Sequence, residues 1–280
     1  KINFNNLFDT SHVTNMCHMF SECESLEELD VSGFDTGSVE DMGHMFGGCK
    51  NLKNLDVSGF NTSSAEDMGA MFKDCENLKS LDVSGFDTGS VKNMWAMFES
   101  CKNLKSLDVS GFDTGSVEDM QFMFFECEAL SELDVSGFDT RNVIDMRYMF
   151  YDCKNLEKLD VGEFNTSRVT DMKSMFSGCK KLKSLDVSNF NTKCVANMED
   201  MFYRCLHNWI LQIFIMHQVL IGGICLIIVE VKNTITIMME TVLKKSVQIF
   251  CPMRKMQFSI MAGNIKNGFC AMHWRYQLRR

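Results

Sequence analysis

Carboxylates recur every 26 residues along most of this 280-residue chain, always at the same place in an L-x-x-L-D-V motif. Each lies between two apolar residues of the motif, so it points away from the side on which those residues are buried. A row of carboxylates can bind a basic partner or Ca²⁺, which prefers oxygen ligands. The members of this row, called the aspartate stripe, are Asp30, Asp56, Asp82, Asp108, Asp134, Asp160 and Asp186.

Serine hydroxyls offer the aspartate stripe a simpler partner than a metal ion. In most units a serine follows the aspartate by two residues, as Ser58 follows Asp56. Two charges about 5 Å apart repel by roughly 0.8 kcal/mol in bulk water, which such hydrogen bonds can offset. We therefore favour a solvated, hydrogen-bonded face over a Ca²⁺ site, and we predict no cofactor and no metal.

A second column of reactive groups consists of cysteines at the same 26-residue step. In stacked units, neighbouring Cα atoms would lie about 5 Å apart, which is within disulfide range. Their side chains would point the same way rather than at each other, and neither a C-x-x-C motif nor a paired-histidine spacing indicates zinc. The column therefore predicts buried thiols at Cys23, Cys49, Cys75, Cys101, Cys127, Cys153, Cys179 and Cys205.

These columns belong to one internal repeat that keeps its length through eight units. One unit, residues 52–77, reads L-K-N-L-D-V-S-G-F-N-T-S-S-A-E-D-M-G-A-M-F-K-D-C-E-N. A strict period of this length predicts a solenoid, in which each coil buries a face against the next. The methionines and phenylalanines of the Met-Phe pairs, from Met19-Phe20 to Met201-Phe202, are predicted to be core.

Two periodicities alternate within each unit. Leu55 and Val57 alternate with polar residues, which predicts a short strand. Val39, Met42 and Met45 fall three residues apart, which predicts a helical turn over residues 38–47. The predicted fold class is α/β: a leucine-rich-repeat solenoid over residues 1–205, with a parallel β-sheet on one face and short helical turns on the other.

The consensus L-x-x-L-D-V-S-G-F-D-T-x-x-V-x-D-M-x-x-M-F-x-x-C resembles the BspA-type leucine-rich repeat of bacterial surface proteins. The resemblance covers residues 2–205, about three quarters of the chain. It implies a cell-surface or secreted protein that takes part in adhesion, and it implies no catalytic residues.

Large aromatic residues interrupt the otherwise uniform repeat on its outer turns. A uniform row of aspartates offers little that could distinguish one partner from another, whereas exposed aromatic residues can anchor a particular partner. The predicted partner-binding residues are therefore Trp95, Phe122, Phe125, Tyr148 and Tyr151, with Asp56, Asp82, Asp108, Asp134, Asp160 and Asp186 of the aspartate stripe as a second set.

The formal net charge of −9 is an average over two unlike regions. Residues 1–205 carry a net charge of −16 and residues 206–280 a net charge of +7. The acidic repeat region argues against nucleic-acid binding, which needs a basic surface. Residues 209–229 contain no charged side chain and are long enough to span a bilayer, with basic residues after them. A membrane anchor is therefore one interpretation of this tail, which is otherwise predicted to be irregular or helical.

A second interpretation of the tail follows from the genetic code. If the last base of each codon is read with the first two of the next, the junctions from Asn208 onward permit L-D-I-T-N-F, which resembles the strand motif of the repeat. Further junctions permit Met, Phe and Cys at 11, 12 and 15 positions after that Phe, as in every unit. We therefore favour a frameshift, with residues 206–280 translated mostly out of frame. The membrane anchor and a small basic domain remain alternatives.

Together these observations predict a non-enzymatic binding or adhesion module, on the cell surface or outside the cell, that contacts a host or matrix protein. A structural spacer that projects another domain is the alternative. An enzyme is disfavoured because no unique acid, base or nucleophile interrupts the repeat.

Overall fold

The computed structural model describes residues 2, 4 and 8–205, together with the backbone of four strands further along the chain. Residues 8–205 form a repeat solenoid in which each coil stacks on the next. Isolated parallel bridges join residues 26 positions apart, from Asn15–Asp41 through to Asp171–Asn197. The repeat solenoid predicted from the sequence period is therefore confirmed, with the predicted register.

Backbone hydrogen bonds between coils are concentrated on the Met-Phe side of each coil. There the amides of His44 and Phe46 donate to the carbonyls of Gly69 and Met71 in the next coil, at 2.8 and 2.9 Å. The amide of Gly47, which lies between the amides of Phe46 and Gly48, instead donates to the His44 carbonyl of its own coil at 2.9 Å. Alternate amides thus join the coils, and those between them close tight turns within a coil.

This arrangement replaces the helical turn predicted over residues 38–47, and that prediction is wrong. Among residues 8–205, none is helical. The physical reason is that two positions in each coil have left-handed backbone, for example His44 (φ 54°) and Gly48 (φ 78°). A left-handed residue interrupts the right-handed progression of an α-helix, so the chain turns instead of continuing as a helix.

The predicted continuous parallel sheet is likewise reduced to isolated bridges. Within residues 8–205 the L-x-x-L-D-V face contributes only the bridges Glu28–Asn54 and Glu132–Lys158. The backbone bends immediately after the motif. The Ser58 amide donates to the Asp56 carboxylate at 3.0 Å, and the Phe60 amide donates to the Val57 carbonyl at 3.0 Å. Because these donors are used within one coil, they do not extend a ladder between coils.

The core is a set of columns that run the length of the solenoid, as the sequence predicts. Met42, Met45 and Phe46 are fully buried, as are their counterparts in the coils up to Phe176. At the ends of the array, Met19 and Phe202 are exposed, so the prediction that every Met-Phe pair is core is wrong there. The phenylalanines stack in one continuous row: the ring centroids of Phe46 and Phe72 lie 5.7 Å apart, and those of Phe72 and Phe98 lie 5.8 Å apart. Each fully buried Phe or Met side chain contributes about 1.5–3 kcal/mol through removal from water.

A column of buried threonines fastens each coil to the next. The Thr36 hydroxyl donates to the Asn61 carbonyl at 2.9 Å and accepts the Asn61 amide at 2.8 Å. Both backbone groups of the next turn are satisfied by one side chain. The same donation from hydroxyl to carbonyl joins Thr10 to Asp35, Thr62 to Asp87, Thr88 to Asp113, Thr114 to Asp139, Thr140 to Asn165 and Thr166 to Asn191.

Four strands of the C-terminal region form an antiparallel sheet in the order β1-β2-β3-β4. Their bounds are β1, Leu220–Ile221; β2, Ile224–Val231; β3, Thr234–Glu240; and β4, Phe269–Met272. The prediction that the tail is irregular or helical is wrong for these residues. The two long strands, β2 and β3, are rich in β-branched residues, which favour strands over helices.

The candidate membrane span at 209–229 falls only partly on described residues. Its last six residues lie in β2, and residues 220–221 form β1; its other residues lie outside the described part of the chain. Within the described part, no helix combines the length and the hydropathy that crossing a bilayer requires. The out-of-frame origin of residues 206–280 concerns the gene and remains a prediction.

Candidate functional site

The variable positions of the repeat lie on the turn side of the solenoid, next to the buried Met-Phe pairs. Trp95 lies two residues before Met97, and Phe122 and Tyr148 directly precede Met123 and Met149. All three aromatic side chains are half-buried, as are Phe125 and Tyr151 just after the Met-Phe pairs. The residue types here change from coil to coil, whereas the core columns do not.

Two of these aromatic residues have a left-handed backbone conformation. Phe122 has φ 59° and Tyr148 has φ 58°. A bulky side chain in this region costs about 1–2 kcal/mol relative to right-handed backbone. The equivalent positions in other coils carry smaller side chains at the same geometry, such as Ala70 and Ala96. Because this cost arises at Cβ, the alanines bear it as well as Phe122 and Tyr148.

Four of the five predicted aromatic residues meet in one group, called the four-ring cluster. Phe122 stacks on Tyr148 with ring centroids 4.9 Å apart and planes 12° apart. Phe125 stacks on Tyr151 at 4.8 Å and 8°. Edge contacts at 5.6–6.2 Å join the two stacked pairs, through Phe122–Phe125, Phe125–Tyr148 and Tyr148–Tyr151. Residues from two adjacent coils thus form one aromatic surface.

Charged pairs border the four-ring cluster. Arg147 binds the Asp145 carboxylate at 2.5 Å, and Lys173 binds Glu199 at 2.7 Å. Partial burial, followed by the neighbouring Asp152 and Glu126 carboxylates, raises the pKa of the Tyr151 phenol. At neutral pH the Tyr151 hydroxyl is therefore protonated and available to donate a hydrogen bond.

Trp95, the fifth predicted aromatic residue, lies in a separate group. Its ring lies 5.7 Å from the His44 ring, and the Lys73 ammonium lies over it at 5.8 Å. His18 stacks on His44 at 4.4 Å. Partial burial and the nearby His18 lower the pKa of His44. His18 and His44 are one repeat apart, which explains why their rings stack.

The aspartate stripe is exposed, and its carboxylates are engaged within their own coils. Asp108 accepts the Ser110 hydroxyl at 2.7 Å and the Ser110 amide at 3.0 Å. These hydrogen bonds, the hydroxyl first, lower the pKa of Asp108. Asp56, Asp82 and Asp134 make the same pair of bonds, and Asp160 and Asp186 accept the amides of Gly162 and Ser188. The structure thus places this second predicted set in turns, as the serine interpretation proposes.

Metal binding finds no support among the described residues, where no three histidine, cysteine, aspartate or glutamate side chains are grouped to hold an ion. The cysteine column is instead a row of free thiols, which are buried from Cys49 to Cys179 as predicted. Cys23 and Cys205, at its two ends, are only half-buried, so the prediction of burial is wrong there. The Cys101 thiol lies 3.2 Å from the Phe72 carbonyl of the preceding coil and donates to it. Burial raises the pKa of Cys101 to about 12, so the group remains an unreactive thiol.

Two sets of contacts were not predicted from the sequence. One is the threonine column, whose signal was an unchanging Thr in every unit. The other is a set of ion pairs between side chains 26 residues apart, such as Lys154–Glu128 at 2.7 Å. Further pairs at this spacing are Lys50–Glu24, Lys53–Glu27, Lys73–Glu99, Lys92–Glu66, Lys102–Glu76 and Lys183–Glu157. Exposed pairs of this kind contribute little individually, about 0–1 kcal/mol, but they favour one register.

The fold and the site define a repeat solenoid with a constant core and a variable, aromatic turn side. The chain belongs to the family described as "Mycoplasma protein of unknown function, DUF285", which matches residues 2–106, 50–158 and 127–208. No curated protein matches the chain.

Among solved structures, the chain is similar to the functional domain of InlJ from Listeria monocytogenes, which is described as including a cysteine ladder. The identity is 16% and the TM-score 0.12. The match covers 68% of this chain and about half, 53%, of the other.

Proposed function

We propose that this protein is a BspA-type leucine-rich-repeat protein of the cell surface or extracellular space, and that it binds a host or matrix protein. The observation that carries the proposal is the four-ring cluster, in which two adjacent coils place stacked rings at variable positions. The cluster offers non-covalent contact rather than catalysis, and we propose that the protein is not an enzyme.

The physical basis is that aromatic side chains supply much of the binding energy at protein interfaces. Stacking of Phe122 on Tyr148 and of Phe125 on Tyr151 already fixes the ring orientations. Less side-chain entropy is therefore lost on binding than with mobile side chains. The Tyr151 hydroxyl and the bordering Arg147 and Lys173 supply polar contacts for a rim around the apolar centre.

The proposal is tested by replacing both rings of one stacked pair in the full chain, as Phe122→Ser with Tyr148→Ser. The matched control is Ala96→Ser with Ser174→Ala, which changes the same column in neighbouring coils. Adhesion is measured to surfaces coated with fibronectin, laminin or collagen, and to cultured host cells. We expect the double aromatic variant to lose at least tenfold in binding and the control to bind normally.

A structural spacer is the second candidate function. It is favoured by the uniform geometry of the contacts between successive coils. Phenylalanine rings of successive coils keep centroid separations of 5.7–5.8 Å from Phe20 to Phe202, as expected of a rigid rod. If the double aromatic variant folds and adheres like the parent, the binding proposal fails and the spacer is favoured.

A further inference from the structure

A lysine on the turn side of the solenoid shows how this array holds a cation. The Lys73 ammonium pairs with the Glu99 carboxylate and lies over the Trp95 ring, 5.8 Å from its centroid. The cation therefore has a carboxylate and an aromatic ring as its partners, and its apolar stem has a ring to pack on. Arg204 repeats the aromatic half of this arrangement, 5.2 Å from the Tyr203 ring.

The four-ring cluster places carboxylates beside aromatic rings in the same way. Glu126 and Asp152 directly follow Phe125 and Tyr151, and the two acidic side chains are 29% and 26% exposed. A Cβ at Gly178 would overlap the Asp152 carboxylate, so the glycine leaves room for it. Burial most of all, and then Asp152 and Glu126, raises the pKa of the Tyr151 phenol, so both carboxylates act at this edge of the cluster.

The lysines that lie near these two carboxylates have closer partners. Lys154 lies 3.7 Å from Asp152 but 2.7 Å from Glu128. Lys102 lies 3.9 Å from Glu126 and likewise has a closer glutamate partner, at 3.4 Å. Within the described part of the chain, the charge of Glu126 and Asp152 is therefore balanced only in part.

Basic side chains border the other stacked pair of the four-ring cluster. Arg147 directly precedes Tyr148 and pairs with Asp145. Glu199 first, and then Tyr148, raises the pKa of Lys173, which places this ammonium beside the Tyr148 ring. Like charges repel, so a further cation is favoured at the Phe125–Tyr151 stack and not here.

We propose that the four-ring cluster docks a lysine or arginine side chain of the bound protein. The apolar stem packs on the Phe125–Tyr151 stack, and the charged end pairs with Glu126 and Asp152. The inference rests on the proposed function and names the chemistry of its partner. Charge complementarity supports this occupant, because residues 1–205 carry a net charge of −16 and two carboxylates concentrate negative charge beside the rings.

The test uses the full chain with Glu126→Gln and Asp152→Asn, which removes both charges and keeps the shape of the side chains. The control, Glu132→Gln with Glu163→Gln, removes two exposed charges near the aspartate stripe. Adhesion is measured to fibronectin, laminin, collagen and host cells, and binding of a hexa-arginine peptide is measured by calorimetry. Circular dichroism checks that both variants fold.

We expect the Glu126→Gln, Asp152→Asn variant to lose at least about fivefold in adhesion and in peptide binding, and the control to lose less than about twofold. Added salt should weaken binding of the parent more than binding of this variant, since it screens the charges that the variant lacks.

Adhesion of the Glu126→Gln, Asp152→Asn variant at the level of the parent would overturn the inference, and so would an equal loss in the control. The proposed function fails separately, if Phe122→Ser with Tyr148→Ser adheres like the parent. If the parent adheres to none of these surfaces, the proposed function fails and the peptide alone decides whether the two carboxylates bind a cationic side chain.

Discussion

The Thr36 hydroxyl donates to the Asn61 carbonyl at 2.9 Å and accepts the Asn61 amide at 2.8 Å, so one side chain satisfies both backbone groups of a residue in the next coil. Thr36 is almost fully buried, so water cannot replace it as a partner. Adjacent coils are therefore joined by hydrogen bonds from a side chain as well as by hydrogen bonds between backbone groups.

We expect Thr36→Val to destabilise the array by about 2–3 kcal/mol, because it leaves the Asn61 amide and carbonyl buried without this partner. Thr36→Ser keeps the hydroxyl and is expected to lose less than half as much. Urea unfolding followed by circular dichroism measures both. Equal losses for Val and Ser would show that the methyl group, rather than the hydroxyl, is the important part of Thr36.

The buried thiols predict a loss of stability in alkali. Burial raises the pKa of Cys101 from an ordinary value of 9.0 to about 12. As the pH rises, the thiol therefore ionises in the unfolded chain before it ionises in the folded protein. The contribution of the protonated thiol to stability is complete below pH 9 and is lost as the pH rises towards 12. We expect the free energy of unfolding to fall more steeply above pH 9 in the parent than in Cys101→Ala, by up to about 1.4 kcal/mol per pH unit. Parallel slopes for the two proteins would contradict this.

Left-handed backbone at Tyr148 separates the effects of this residue on stability and on binding. With φ at 58°, glycine is the residue that fits this backbone at least cost. We expect Tyr148→Gly to be about 1 kcal/mol more stable than Tyr148→Ala, since both lack the ring and only the alanine bears the steric cost. Both variants should lose adhesion equally. Calorimetry and the adhesion assay measure the two effects, and a more stable alanine variant would refute the account.

The aspartate stripe is expected to act through turns and not through Ca²⁺. Hydrogen bonds from Ser110 lower the pKa of Asp108, so its stabilising effect is present at neutral pH and is lost as the pH falls below the ordinary value of 3.8. We expect Asp108→Asn, which retains an acceptor oxygen, to be more stable than Asp108→Ala at pH 7. Adding Ca²⁺ should leave the Tm of the parent unchanged, and a rise in Tm would restore the metal interpretation.

The sequence predicted the solenoid, its register and its core because a period without insertions leaves only one way to align the coils. The sequence also identified Phe122 and Tyr148 as candidate partner-binding residues, but it did not predict the four-ring cluster, which forms because these two residues are one repeat apart in the solenoid. Trp95 lies outside the four-ring cluster because the next coil carries Gln121 at the equivalent position, so that coil supplies no ring to stack on it.

The helical turn was the main error, and its cause is physical. Successive tight turns place residues i and i+3 close together, as a helix does, so the spacing of Met42 and Met45 fits both structures. The difference lies in the sign of φ at His44, which a non-glycine residue type does not reveal. The tail strands were missed because a continuous apolar run carries no decisive periodicity.

The constant separation between bonded residues also determines how the molecule can grow and fold. Every joint closes a loop of the same length, about 25 residues, so the entropic cost of adding a coil is the same at each step. Assembly can therefore start at any coil and spread to its neighbours, because each coil contacts mainly the coils next to it. A gene that duplicates or deletes one whole unit changes the length of the rod without altering any remaining joint.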